Sequence, residues 1–227
     1  MSWCYTCNVK TIVTSLCIIF KELLRVGKRI HSEYSVYDYM ALVIVVSFLG
    51  FCLENIWMLF RFGVIDNRNM NFPFLIGYGF AVLFIYMVLG VPQKNNLGPF
   101  FIACFFIVSV GEILLGYAVE KFCGIYYWDY TNLPMHLTRY TSFFTSIGFS
   151  AVITVFFYRF FTPLMNYFKL HENNKVHVVC VALFAVLVMD LFFSFRYMHS
   201  NRATNLSWVL HFPAKGSGLD LEIIPKV

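Results

Sequence analysis

Charge is scarce in this chain. Only 13% of its 227 residues are Asp, Glu, Lys or Arg, too few to coat a soluble domain of that size. Catalytic signatures are missing as well. There is no GxSxG, no HExxH, no GxxxxGK[ST] and no Gly-rich nucleotide loop, so an ATP-driven process would need its ATPase on a second chain. No Lys/Arg stripe interleaves with exposed aromatics and no nucleic-acid motif occurs, which excludes nucleic acid as a partner. A cleavable signal peptide is not expected: the stretch Ile12 to Phe20 is broken by Thr14 and Ser15, and no small-residue cleavage site follows. Internal repeats and low-complexity segments are also lacking.

Cysteine occurs seven times, an odd number. Cys17, Cys52, Cys104 and Cys180 lie in apolar surroundings, where a thiol acts as a small hydrophobe. Cys4 and Cys7 form a CxxC, but neither a βαβ context for redox chemistry nor a second ligand pair for zinc is visible. No metal-ligand set and no cofactor can be read from the sequence.

What is abundant is hydrophobic surface. Apolar residues make up 59% of the chain, Phe alone occurs 27 times, and the mean hydropathy is +0.70. Five apolar runs, about 39–60, 72–91, 99–122, 141–161 and 176–195, each approach the ~20 residues needed to cross a bilayer. The expected fold is an all-α polytopic membrane domain over 36–198. Residues 1–35 precede it. There Val9, Ile12, Val13, Leu16, Ile19, Phe20, Leu23 and Leu24 recur at helical spacing among Lys and Arg, the pattern of a basic amphipathic helix lying in the interface. Residues 199–227 read as a polar tail, loose around Gly216-Ser217-Gly218. Lys and Arg divide nine against eight between the two sides. The basic cluster before the first span therefore decides the orientation, with the N-terminus in the cytoplasm and the C-terminus outside.

A few ionisable groups sit inside these spans, where they are costly unless paired, hydrated or protonated. Counting depth along each run brings them to one side. Glu54 lies about 9 Å from the end of the first span, and Arg68 is in the loop that follows. Tyr78 sits six residues into the returning span. Glu112 and Glu120 occupy the later half of the third span, and Asp190 and Arg196 close the fifth. Glu112, Gly116 and Glu120 are spaced i, i+4, i+8 and share a helix face, with Gly116 leaving room for a close approach. On the same side, Trp128, Asp129 and Tyr130 form an aromatic loop with an embedded acid, followed by His136 and Arg139. The expectation is one polar cavity lined by these acids, capped by that loop and balanced by Arg68, Arg139 or Arg196. The bland alternatives are an interfacial Glu120 beside Lys121, a structural pairing of Glu112 with an arginine, and an ordinary interfacial His136.

The block Glu112-x3-Gly116-x3-Glu120-Lys121-x2-Gly124-x3-Trp128-Asp129-Tyr130, followed by Pro134 and Ser146, resembles the signature of the bacterial family called putative ABC-transporter type IV. Gly50-x3-Glu54, Asn67-Arg68, Pro73, Gly77 and Gly79 resemble a second block, and Asp190 with Arg196 a third. The resemblance covers about residues 40–197. Departures fall near Ile76-Gly77, where Tyr78 follows the glycine, at His136 and Arg139, and at Phe149-Ser150. The family implies a permease. The clustered acids could bind a cationic substrate or carry protons, and because five spans rarely enclose a full pathway, a second copy or a separate ATPase subunit would be needed. Two other functions compete on the residues alone. One is a membrane enzyme for a lipid or isoprenoid substrate, using the acids for proton transfer or to hold Mg²⁺. The other is a non-catalytic assembly or regulatory subunit.

Overall fold

The computed structural model describes residues 34–212 and 220–224. The basic amphipathic helix and the CxxC expected near the N-terminus lie outside them. The described chain is a helical membrane domain. Four of its helical segments are long and apolar enough to cross a bilayer: 36–62, 94–123, 143–170 and 174–201. Apolar residues surround these helices on all sides, as the lipid solvent requires.

Helix α1 (Val36–Phe62) starts on a capping box in which Ser35 and Asp38 satisfy each other's backbone N–H groups, and it ends at Gly63 with φ +69°. Helix α3 (Leu97–Cys123) also ends on a left-handed glycine, Gly124. These positive-φ ends suit glycine because no Cβ is present. Helix α4 (Phe143–Val155) runs through a π-helical turn (Phe156–Phe161) into α5 (Thr162–Leu170). Helix α6 (Asn174–Asn201) completes the bundle. The segment after Thr162 is therefore helical as far as Leu170. Met165 within it is fully buried, and only His171 to Asn173 link it to α6.

The second run departs from expectation. Its helix, α2, covers only Ile76–Leu89, 14 residues, or about 21 Å. Residues 72–75 are not helical because Pro73 lacks an amide hydrogen and disfavours α geometry in the residue before it. Their polar backbone is satisfied from within the protein. Leu75 N donates to Ser47 O at 3.0 Å, and Phe72 N to the Asp190 carboxylate at 3.1 Å. Irregular backbone in a membrane protein is tolerated when its amides are satisfied from within the protein in this way.

Strands gather at one end of the bundle, where α1 and α3 finish. Strand β1 (Val64–Asp66) pairs antiparallel with β4 (Trp208–His211), which pairs with β5 (Asp220–Ile223). A second ladder joins β2 (His136–Thr138) to β3 (Thr141–Ser142). The tail expected to be loose thus supplies two strands, although Gly216 to Gly218 are outside the described residues. At the opposite end, the buried core is aromatic and dry, built on Leu42, Tyr86, Phe100, Phe157, Phe161 and Met165.

Two glycines make room for tyrosine rings. A Cβ on Gly50 would come within 2.6 Å of the Tyr78 ring, and one on Gly116 within 2.6 Å of the Tyr140 ring. Gly116→Ala is therefore expected to overpack this contact and cost about 1–3 kcal/mol. Thermal unfolding in detergent measures that loss, and a neutral result would show that Tyr140 swings away freely.

Candidate functional site

The acids meet under the strand-rich end. Arg68 follows β1 and sits between two carboxylates. Its Nη2 is 3.2 Å from Glu54 Oε2 and its Nη1 is 3.4 Å from Asp66 Oδ2. The Arg68 backbone is left-handed, at φ +47°, as is that of Asn69, at φ +62°. Asp66 Oδ1 accepts from Arg68 N at 2.6 Å, and Asn67 Nδ2 donates to Met70 O and Asn205 O. The Tyr127 hydroxyl donates to Arg68 O at 3.0 Å. Three side chains thus clamp a turn whose backbone is uncommon for residues other than glycine. From α2, the Tyr78 hydroxyl donates to Glu54 Oε1.

Glu112 faces this cluster from α3. Its Oε2 accepts from Thr141 Oγ1 at 2.6 Å and from Ser146 Oγ at 3.4 Å, and the Tyr130 side chain also interacts with it. No described Lys, Arg or His comes within ion-pair distance of it. The alternative of a structural pairing of Glu112 with Arg61, Arg139 or Arg196 is therefore not formed among the described residues. Glu54 lies near enough to interact electrostatically with Glu112. Two carboxylates thus share a partly buried polar region with one guanidinium, itself divided between Glu54 and Asp66.

Glu120, two turns along the same face, accepts from the Tyr140 hydroxyl and is not left snorkelling beside Lys121. The Tyr140 carbonyl in turn accepts from Trp128 Nε1 at 2.7 Å. The close approach expected at Gly116 is the Tyr140 ring. Tyr140 went unnoticed in the sequence because nothing but that glycine hinted at it.

The loop 124–139 divides between the interior and solvent. Tyr127 and Tyr130 point inward, and burial pushes both hydroxyls above the usual tyrosine range. Asp129 points outward. Hydrogen bonds from the backbone and hydroxyl of Thr131, followed by the charge of Arg139, hold its carboxyl below the usual range. Its ion pair with Arg139 spans 3.5 Å between half-exposed side chains, and Arg139 stacks over Tyr126 at 4.2 Å. His136 is exposed, its Nδ1 3.2 Å from Leu133 O. Asp129, Arg139 and His136 are therefore set apart from Glu54 and Glu112.

Asp190 has a different task. Its carboxylate accepts from Asn71 N, Asn71 Nδ2 and Phe72 N at 3.2, 2.6 and 3.1 Å, anchoring the entry to α2. Arg196 is exposed and pairs with none of the described carboxylates. Asp190→Ala would remove the acceptor of Phe72 N and both contacts to Asn71, whose Nδ2 also donates to Ser194 Oγ at 3.2 Å. At about 1–3 kcal/mol for a stranded group, a loss of about 1–3 kcal/mol is expected in thermal unfolding. Asp190→Asn should retain part of that stability, and equal losses would mean that hydrogen bonding is not what Asp190 supplies.

No group of three or more His, Cys, Asp or Glu among the described residues is arranged to hold a metal ion.

The helices define a membrane protein, and the family match makes its class transport-related. The chain belongs to the putative ABC-transporter type IV family, whose model matches residues 41–195. That range contains every residue of the Glu54, Arg68, Tyr78, Glu112 and Tyr130 cluster. No curated protein and no solved structure matches the chain.

Proposed function

We propose that the protein is a permease-like subunit in the cell membrane whose Glu112 and Glu54 bind a small cationic substrate from the strand-rich face. The observation that carries this reading is Glu112: a carboxylate in a membrane span, held by hydroxyls and by no cation among the described residues. Intramembrane acids are costly and mark substrate or ion sites. Hydroxyl donors can hold the carboxylate in place until a substrate cation arrives. Arg68 neutralises the neighbouring acids without reaching Glu112, so the region keeps an excess of negative charge.

The basic N-terminal segment supports an inside location for that end, which would turn the strand-rich face outward. Five helices enclose little volume, so the working unit would be a dimer or a complex with a separate ATPase subunit.

The test is thermal stabilisation of the purified protein in nanodiscs against a panel of organic ammonium compounds and matched neutral and anionic analogues. A ligand at a hundred times its Kd adds about 2.7 kcal/mol. Stabilisation by ammonium compounds, followed by their saturable uptake into proteoliposomes, is expected. A panel in which only anions stabilise, with an unchanged response in Glu54→Gln, would overturn the reading.

A further inference from the structure

Below Glu112 the polar lining continues past Ser146. Helices α3 and α4 pack against each other here. One turn beyond Ser146 lies Ser150, fully buried, with its Oγ lacking any hydrogen-bond partner among the described residues. A turn further, Thr154 Oγ1 donates to Ser150 O at 2.7 Å, and the Cys104 thiol on α3 contacts the Thr154 hydroxyl. Ser146, Ser150 and Thr154 are spaced i, i+4, i+8 and share one face over about 12 Å.

Hydroxyls between membrane helices commonly serve close packing. Such a hydroxyl satisfies itself on the carbonyl one turn back. Ser47 does so on Val43 O, Ser109 on Phe105 O, and Thr154 on Ser150 O. Ser150 does not, and packing gives no account of a buried hydroxyl left without a partner.

The row stops at an aromatic plug. Phe100 and Phe157 meet edge-on at 5.5 Å, Phe157 and Phe161 are 5.0 Å apart, and Phe161 stacks on Tyr86 at 4.6 Å. Phe157 and Phe161 are fully buried. Both are carried by the π-helical turn Phe156–Phe161. A π-helical stretch inside an α-helical span is rare and marks functional positions.

We propose that the α3–α4 seam, from Glu112 past Ser146 and Ser150 to Thr154, is the route by which substrate enters the membrane core, and that the π-helical turn carries its inner gate, Phe157 and Phe161. The occupant rests on the permease reading above, whereas the route rests on the seam itself. Ser150 Oγ supplies the acceptor that an ammonium group would need after leaving Glu112. The plug then separates this polar stretch from the opposite face until the turn rearranges.

The test uses Ser150→Cys in a full-length chain whose seven native cysteines are replaced, reconstituted in sealed vesicles. Two impermeant thiol reagents are added to one face at a time: the cationic trimethylammonium-ethyl and the anionic sulfonatoethyl methanethiosulfonates. Modification is expected from the strand-rich face. From the opposite face it should be negligible until Phe157→Ala or Phe161→Ala is added, and then at least tenfold faster. Absence of modification from the strand-rich face by either reagent would overturn the route, and this arm needs no alanine variant to fold. Alanine variants that stay monodisperse yet leave the opposite face closed would overturn the gate. The charge preference is a separate readout. Faster reaction with the cationic reagent, abolished by Glu112→Gln, supports the cationic substrate. Equal rates with both reagents would sink that substrate and leave the route standing.

Discussion

Glu112→Gln protein is expected to insert, fold and melt within about 1 kcal/mol of the parent, while its response to a cationic ligand falls at least tenfold. The stability half of this result follows from the partners. Glutamine keeps a side-chain oxygen for Thr141 Oγ1 and Ser146 Oγ, and no cation among the described residues is stranded by loss of the charge. Had Glu112 been half of a buried ion pair, removing its charge would cost about 3–5 kcal/mol. The functional half follows from charge alone, since a neutral amide offers an ammonium group no ionic partner. Thermal unfolding and ligand titration on the same preparation measure both. Loss of fold would make Glu112 a structural residue, and an undiminished ligand response would remove it from the binding site.

Arg68→Met is expected to do the reverse, with a loss of about 3 kcal/mol before any effect on ligand is considered. The Arg68 side chain is 17% exposed and holds Glu54 and Asp66 together. Methionine preserves most of the stem but leaves two carboxylates unopposed beside Glu112. Removing one member of a largely buried pair costs about 3–5 kcal/mol, because the remaining charge is stranded. The lower figure applies because Glu54 is 19% exposed and water reaches it. The Glu54→Gln/Arg68→Met double variant should recover part of the loss, since it removes one of the stranded charges. A double-mutant cycle in thermal unfolding measures this coupling. Additive losses would mean that the contact between Glu54 and Arg68 carries no energy.

The spans were legible because the bilayer demands long apolar helices and leaves few alternatives. Counting depth along them was enough to place Glu54, Glu112, Glu120 and Asp190 toward one end, and the structure has Tyr78 on Glu54 and Asn71 on Asp190. It could not separate their tasks. Asp190 anchors a backbone entry and Glu120 accepts from Tyr140, whereas Glu112 is held by hydroxyls. Which neighbour each acid meets depends on loop paths, and hydropathy is silent on those. Strands of two to four residues carry too little alternation to be read, so β1, β4 and β5 were invisible inside a polar loop and a polar tail. The shortened α2 had a readable cause in Pro73, but the carboxylate that supports its entry lies 118 residues away.

The strand ladder also constrains the order of assembly. Asn67 receives Ser207 N across 140 residues of chain, and β1 pairs, among the described strands, with β4. The clamp around Arg68 therefore stays incomplete until the last helix has been delivered to the membrane. During synthesis, Glu54 and Asp66 must wait near the bilayer surface while the remaining helices insert. Contacts of such long sequence separation form late and slowly. A chain stalled before β4 would leave β1 without that partner and the Asn67 contact to Ser207 unmade.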